Sequence, residues 1–146
     1  MRTEVQNFAQ LNTDSLYELL KLRVTVFVVE QNCPYPELDD IDRAPDCLHL
    51  SLLQDDKLAG YARCYRKACG TAAIGRVVVA PWARGQGLAK KLMLEAINVC
   101  RKRYDGVEIV ISAQTYLLDF YAGLGFIAEG EAYLEDGIPH QDMRLQ

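Results

Sequence analysis

The 146-residue chain has no hydrophobic run of the roughly 18 residues that a membrane span needs, and its first residues lack the apolar or arginine-rich pattern of a targeting segment. It has two histidines, and its five cysteines contain no C-x-x-C pair, so we expect reduced thiols and no metal site. Sixteen basic residues stand against twenty acidic ones, a net charge of −4, which disfavours nucleic acid as a partner. These absences favour a cytoplasmic protein without a membrane partner.

The composition is that of an ordinary folded domain. Half of the residues are hydrophobic and 25% are charged, with 10 glycines and 5 prolines, which excludes collagen-like and wholly disordered chains. A chain of this size buries about two thirds of its surface on folding, enough for a core without disulfide bonds. We therefore expect one domain over residues 1–146.

The order of the predicted elements indicates an α/β fold. Helical spacing follows the capping residues Asn12 and Thr13, and a Pro-punctuated acidic loop occupies residues 31–46. Strands are predicted at 47–53, 58–66, 73–79, 107–113, from 126 onward and at 140–145, and helices at 14–27, 88–103 and 116–124. This order predicts a mixed, mostly antiparallel central sheet flanked by helices.

A glycine-rich turn between a buried strand and a long helix is the most informative segment. Free backbone N–H groups and the positive end of the helix dipole meet at Arg84-Gly85-Gln86-Gly87, which predicts an anion site, most plausibly for phosphate. A Walker A loop is excluded because no lysine here is followed by serine or threonine. The dinucleotide fingerprint is disfavoured because Lys90 stands where it needs a third glycine.

The segment Arg84-Gly85-Gln86-Gly87-Leu88-Ala89 resembles the R/Q-x-x-G-x-G/A signature of the GNAT N-acetyltransferase superfamily. Three valines before Pro81 resemble that family's fourth strand, and residues 120–126 resemble its second conserved region. Segments 27–34 and 135–140 are similar to the ElaA-like acyltransferases within the superfamily. Ala89 replaces a commoner glycine but keeps the position small.

The resemblance implies acetyl-CoA as the co-substrate. Amides of residues 85–90 would bind its pyrophosphate, and the backbone of residues 77–79 would pair with the pantetheine amides. The residues implied on this side are Val77, Val78, Val79, Arg84, Gly85, Gln86, Gly87, Leu88, Ala89 and Lys90. The alternative is that the two glycines only form a strand-to-helix turn.

Two side chains are candidate catalytic residues. Tyr121 resembles the family tyrosine that protonates the coenzyme A thiolate, although its apolar neighbours also fit a core aromatic. His140 can accept a proton near neutral pH and resembles a histidine of related small-molecule acetyltransferases, with a structural turn histidine as the alternative. Glu30 is the second candidate base, an amide at or beside Val79 would stabilise the oxyanion, and His49 is expected to be structural.

The acceptor side is predicted from three arginines. A symmetric hairpin places Arg63 opposite Arg76, and the helical stripe carries Arg23 toward them. These guanidinium groups could bind a substrate carboxylate or phosphate, or could pair with Asp39, Asp40 or Asp42. Gln114 is assigned to the same side, and the acids of loop 31–46 are expected to form a solvated lid, with a rim that attracts the amine as the alternative.

These observations predict direct transfer of an acetyl group from acetyl-CoA to the amine of a small molecule, with a general base and a tyrosine general acid. One rival is an acyl-CoA-binding regulatory module without turnover. Another is a protein or peptide N-acetyltransferase. The sequence leaves open whether the protein is a monomer or a homodimer.

Overall fold

A computed structural model describes residues 1–145, which form one seven-stranded sheet with three α-helices. The strands are β1 (Arg2–Gln6), β2 (Leu48–Gln54), β3 (Lys57–Arg66), β4 (Ala72–Val79), β5 (Ile109–Gln114), β6 (Phe126–Glu135) and β7 (Ile138–Leu145). The helices are α1 (Thr13–Arg23), α2 (Leu88–Arg103) and α3 (Leu118–Ala122). The sheet order is β1-β2-β3-β4-β5-β7-β6, and only the β4–β5 pair is parallel. The predicted mixed, mostly antiparallel α/β fold is confirmed.

The structure adds one strand that was not predicted and ends one predicted α-helix early. Strand β1 pairs with β2 although its sequence RTEVQ holds one large aliphatic residue, too few for a pattern to be read. The predicted helix to residue 27 ends as an α-helix at Arg23, and Val24–Glu30 continues it as a π-helix. The run of β-branched residues there explains the change, because such side chains crowd an α-helical turn.

Helix α2 covers one face of the sheet and fixes the glycine turn at its start. Its buried residues are Leu88, Leu92, Met93, Ala96, Ile97 and Cys100. Leu92 approaches Gly60 of β3 so closely that a Cβ on this glycine would lie 2.7 Å from the Leu92 Cδ1 atom. This packing holds the helix N-terminus directly after β4.

A β-bulge in β4 corrects the predicted pairing of the arginines. The register shifts between Tyr61 and Arg63, so Arg63 lies opposite Gly75 and not opposite Arg76. Arg76 adopts a left-handed backbone conformation with φ of 53°, which is strained for a residue with a side chain. The bulge therefore turns Arg76 out of the regular ladder.

The same strand separates from its parallel neighbour. Strands β4 and β5 pair only at Ala72 with Ile109 and at Ala73 with Val110. From the bulge to Val79 the β5-facing edge of β4 has no partner strand. The result is a wedge-shaped opening that widens toward the glycine turn.

Candidate active site

The opening between β4 and β5 forms a cleft of about 860 Å³. Its cofactor half is lined by Phe27, Val77, Val78, Val79, Arg84, Leu117 and Tyr121. Its other half is lined by Cys33, Arg63, Arg76, Gln114, Ser112, Glu135, His140 and Asp142. Nine of the sixteen predicted site residues therefore line one cavity, and the seven that do not are Arg23 and residues 85–90 of the glycine turn and the start of α2.

The glycine turn presents free backbone donors at one end of this cleft. Gly85 and Gly87 have φ of 84° and 73°, a conformation that glycine adopts without strain. Gly87 precedes the first residue of α2, where the early N–H groups of a helix have no intrahelical partner. Within the described residues, the amides of Gly85, Gln86 and Gly87 donate no hydrogen bond. This turn has the donors and the dipole orientation that an anionic group needs.

Leu88, Ala89 and Lys90 contribute to this turn through their backbone. The Leu88 side chain is buried under the sheet, whereas that of Lys90 is exposed. The Gln86 side chain points away from the cleft, since its Oε1 accepts a hydrogen bond of 3.3 Å from Gln54.

Tyr121 lies on α3 between the core and the cleft. Its residue is 9% exposed, and its ring packs edge-on against Phe120 and Phe126. Burial raises the pKa of Tyr121 to about 12, with a smaller contribution from Tyr116. The hydroxyl is therefore protonated near neutral pH, and it makes no hydrogen bond to another described residue.

His140 lies on β7, where the strand pairing places it between Gln114 of β5 and Tyr133 of β6. It is 8% exposed and lines the cleft. Its Nδ1 atom lies 2.7 Å from the carbonyl oxygen of Ile138, and its Nε2 atom lies 3.4 Å from Oε2 of Glu135. Because a carbonyl only accepts, Nδ1 carries the hydrogen of the neutral ring and Nε2 keeps its lone pair.

The three predicted acceptor arginines all pair with acids of loop 31–46. Arg23 is completely buried and donates to Glu37 Oε2 at 2.7 Å and to Asp42 Oδ1 at 2.8 Å. Arg63 donates to Asp39 and Asp42 at 2.8 and 2.9 Å. In this conformation Arg23 is out of reach of a ligand.

Arg76 completes the cluster from the β4 bulge. Its Nε atom donates to the same Glu37 oxygen at 2.8 Å, and its guanidinium lies 3.5 Å from Asp39. Three guanidinium groups thus face three carboxylates, with no net charge. Burial alone would raise the pKa of Asp42, but the hydrogen bonds and charges of Arg23 and Arg63 outweigh it and lower that pKa.

The prediction that the acids of loop 31–46 are solvated is wrong for two of them. Glu37 and Asp42 are buried by the arginine cluster, because three desolvated cations need carboxylate partners. Asp40 does not join them and pairs with the exposed Arg43. The acidic loop is therefore fastened to the sheet and forms one wall of the cleft.

Comparison with protein families gives a match to the acetyltransferase (GNAT) domain over residues 9–146. The chain belongs to this GNAT acetyltransferase family. The predicted class of enzyme, an acyl-CoA-dependent N-acyltransferase, is confirmed with it.

Several relatives are similar along almost their whole length. Protein ElaA of Escherichia coli (strain K12) is 39% identical over 137 residues, 92% of this chain and 90% of ElaA. The crystal structure of Escherichia coli ElaA has a TM-score of 0.94 at 36% identity, and each chain is covered to 100%. An acyl-CoA N-acyltransferase from Pseudomonas aeruginosa has a TM-score of 0.93 at 39% identity, with both chains covered to 100%. The resemblance to the ElaA-like subgroup is confirmed.

An ion pair joins the glycine turn of this GNAT chain to the end of the π-helix. Arg84 donates to both carboxylate oxygens of Glu30, at 2.8 and 3.0 Å. The hydrogen bonds from Arg84 lower the pKa of Glu30, and both side chains are 44% exposed. In this pair the carboxylate of Glu30, the second candidate base, is bound to Arg84. The pair also neutralises the positive charge of Arg84 beside the glycine turn.

We expect Glu30→Gln to strengthen acetyl-CoA binding, by roughly 2- to 5-fold in Kd at low salt, because it removes a negative charge that pairs with Arg84 beside the glycine turn. Titration calorimetry measures the change. Glu18→Gln, on the exposed face of α1, removes the same charge elsewhere and should leave the Kd unchanged. Equal or weaker binding by Glu30→Gln would contradict the competition.

His49 and the five cysteines lie in surroundings that do not indicate a catalytic role. His49 is buried between the Tyr61 hydroxyl and the Asp42 carbonyl and lies outside the cleft lining, in a packed environment typical of a structural residue. All five cysteines are free thiols, and four of them are buried. Among residues 1–145, no group of three or more potential ligands could hold a metal ion, and no helix is long and apolar enough to cross a membrane.

Three residues of the site were not predicted. The sequence places Glu37 in the acidic loop without a sign of its burial, and no motif points to Tyr133 or Glu135 as a site residue. The Asp136-Gly137 dipeptide could have placed the last two, because a two-residue hairpin turn fixes Glu135 opposite Ile138 and Tyr133 opposite His140.

Proposed function

We propose that this GNAT enzyme transfers an acetyl group from acetyl-CoA directly to the amine of a small molecule. One observation carries the proposal: a single cleft joins an anion-binding turn, a protonated tyrosine and a histidine with a free ring nitrogen. Binding, proton donation and proton acceptance are the functions that thioester aminolysis requires of the protein.

The co-substrate fits the cofactor half of the cleft. Amides of residues 85–90 would hold the pyrophosphate, and the unpaired edge of β4 at Val77–Val79 offers backbone groups to the pantetheine amides. Acetyl-CoA supplies the thioester that is cleaved. Arg84 would exchange its carboxylate partner for the diphosphate.

Two side chains of the protein transfer the protons, and one backbone amide stabilises the oxyanion. His140 Nε2 takes one proton from the bound ammonium, so that the neutral amine can attack the acetyl carbon with its lone pair. The nitrogen loses its second proton as the adduct collapses to the amide, and that proton replaces the one that Tyr121 gives to the sulfur. Tyr121 donates its proton to the sulfur as the carbon–sulfur bond breaks. The amide at or beside Val79 stabilises the oxyanion in between.

The acceptor half is matched to a cationic amine. Glu135 and Asp136 have no lysine or arginine partner among residues 1–145, whereas Arg63 and Arg76 are neutralised by acids. The arginines contribute to acceptor binding indirectly, because they hold loop 31–46 in place as one wall of the cleft. Gln114 lines the cleft from the end of β5. A cytoplasmic amine of this kind is the proposed acceptor.

The base assignment predicts a basic limb in the pH profile of kcat/KM and its loss in His140→Gln, because glutamine forms hydrogen bonds but does not accept a proton near neutral pH. Stopped-time assays with acceptors of different amine pKa separate this limb from titration of the amine itself. A limb that follows the acceptor and persists in His140→Gln would leave His140 structural.

A further inference from the structure

The chain's two histidines have opposite hydrogen-bonding environments. At His49, Nε2 donates to the carbonyl of Asp42 at 3.0 Å, and Nδ1 accepts from the Tyr61 hydroxyl at 2.6 Å. At His140, Nδ1 donates to the carbonyl of Ile138 at 2.7 Å. The two neutral rings therefore carry their hydrogen on different nitrogens.

An aromatic ring lies against the imidazole of His140. Tyr133 is opposite it across the β6–β7 pair, and the two rings are nearly parallel, at 22°, with centroids 6.2 Å apart. The Tyr133 hydroxyl donates to Asp142 Oδ1 at 2.6 Å and contacts the Ser112 hydroxyl. Burial, and next the bond to Asp142, raise the pKa of Tyr133 to about 12, so the hydroxyl stays protonated.

We propose that Tyr133 is a positioning residue for His140: anchored by Asp142 and Ser112, its ring keeps the imidazole oriented with the unprotonated Nε2 toward the cleft. This inference rests on the proposed role of His140 as the base. Tyr133 itself does not line the cleft.

The anchoring matters because the ring of a histidine can rotate by about 180° at low cost. Rotation would exchange Nδ1 with Cδ2 and Nε2 with Cε1, so it would break the hydrogen bond to Ile138 and move Nε2 away from its place in the cleft. A displacement of about 1 Å at a reacting group can cost about 100-fold in rate. A stacked ring with two hydrogen-bonded contacts of its own opposes this motion.

Glu135 lies beside the other ring nitrogen of His140, Nε2. Its Oε2 atom lies 3.4 Å from Nε2, so after Nε2 has taken the amine proton, the new N–H faces a carboxylate. The proton thus moves from the amine nitrogen to Nε2 and is then held between the ring and Glu135. Tyr133 orients the ring toward this partner.

Nitrogen NMR of the histidine side chains tests the proposal without any turnover. Only two imidazoles contribute, and His49 serves as the internal reference with the opposite tautomer. At a pH of about 8.5, where an ordinary imidazole is neutral, wild-type His140 should show a protonated Nδ1 and a bare Nε2. Tyr133→Leu should give a mixture of tautomers at His140 and an unchanged His49.

Turnover supplies the second readout. We expect Tyr133→Leu to lower kcat at least about 10-fold with the acetyl-CoA Kd within 2-fold, since only base orientation is affected. Tyr133→Phe keeps the stacked ring and should recover part of that loss. Tyr17→Leu, on the exposed face of α1, is the matched control and should behave as wild type.

The outcomes separate this inference from the proposed function. Unchanged His140 nitrogen signals and unchanged kcat in Tyr133→Leu would overturn the positioning role, as would an Nε2-protonated His140 in the wild type. Altered signals in Tyr133→Leu, together with full activity of His140→Gln, would keep the positioning role and reject His140 as the base. If Tyr133→Leu melts early, the Tyr133→Phe spectrum decides: signals identical to wild type, at unchanged kcat, count against anchoring by the hydroxyl.

Discussion

Gly87→Val is expected to weaken acetyl-CoA binding at least about 100-fold, equivalent to about 2.8 kcal/mol. The backbone at Gly87 has φ of 73°, and a Cβ there would meet no protein atom within 4 Å. The added side chain would therefore project into the space above the amides, where the pyrophosphate has to approach. Valine would also strain the left-handed turn and misdirect its N–H groups, at about 1–3 kcal/mol of stability.

Gly106→Val separates these two effects. Gly106 has almost the same φ, 74°, and equally open surroundings, but it follows the opposite end of α2, about 24 Å along the helix. Both variants should lose similar stability in thermal melting, and only Gly87→Val should lose affinity in calorimetry. Tight acetyl-CoA binding by folded Gly87→Val would remove the pyrophosphate from this turn.

Tyr121→Phe is expected to lower kcat by about 10²- to 10³-fold, the range that general-acid catalysis supplies. The ring still packs against Phe120 and Phe126, so the fold and the cleft remain intact. The Kd of acetyl-CoA should stay within about 2-fold, because the proton is needed only as charge develops on the sulfur.

Tyr116→Phe is the control for this variant. Tyr116 lines the same cleft but is 74% exposed, so removing its hydroxyl should not change turnover. Single-turnover measurements show whether chemistry limits the rate. An unchanged chemical step in Tyr121→Phe would exclude Tyr121 as the acid.

The fold and the conformation of the glycine turn could be predicted from sequence because local patterns determine them. Alternation, helical spacing and glycine at left-handed positions are properties of neighbouring residues, and Gly85 and Gly87 adopt the conformation expected of them. The order of strands around one glycine turn then identifies the GNAT arrangement.

The arginine cluster could not be predicted in the same way. The residues that pair in this cluster lie 14 to 39 positions apart in the sequence. The strand partner of Arg63 depends on a bulge at Arg76, and no glycine, proline or other turn residue at that position predicts it. Symmetric hairpin geometry gave the wrong neighbour for that reason. The burial of Glu37 follows from its pairing with two guanidinium groups, those of Arg23 and Arg76, which only the tertiary structure brings together.

Acceptor-dependent thiol release from acetyl-CoA, followed by mass spectrometry of the acceptor, tests the central claim most directly. The panel holds monoamines, polyamines, amino acids and peptides, each at a pH near 8. The account predicts thiol release that depends on a small cationic amine and yields one acetamide per thiol. Acetylation of peptides alone, or tight acetyl-CoA binding with no amine-dependent release from any acceptor, would contradict it.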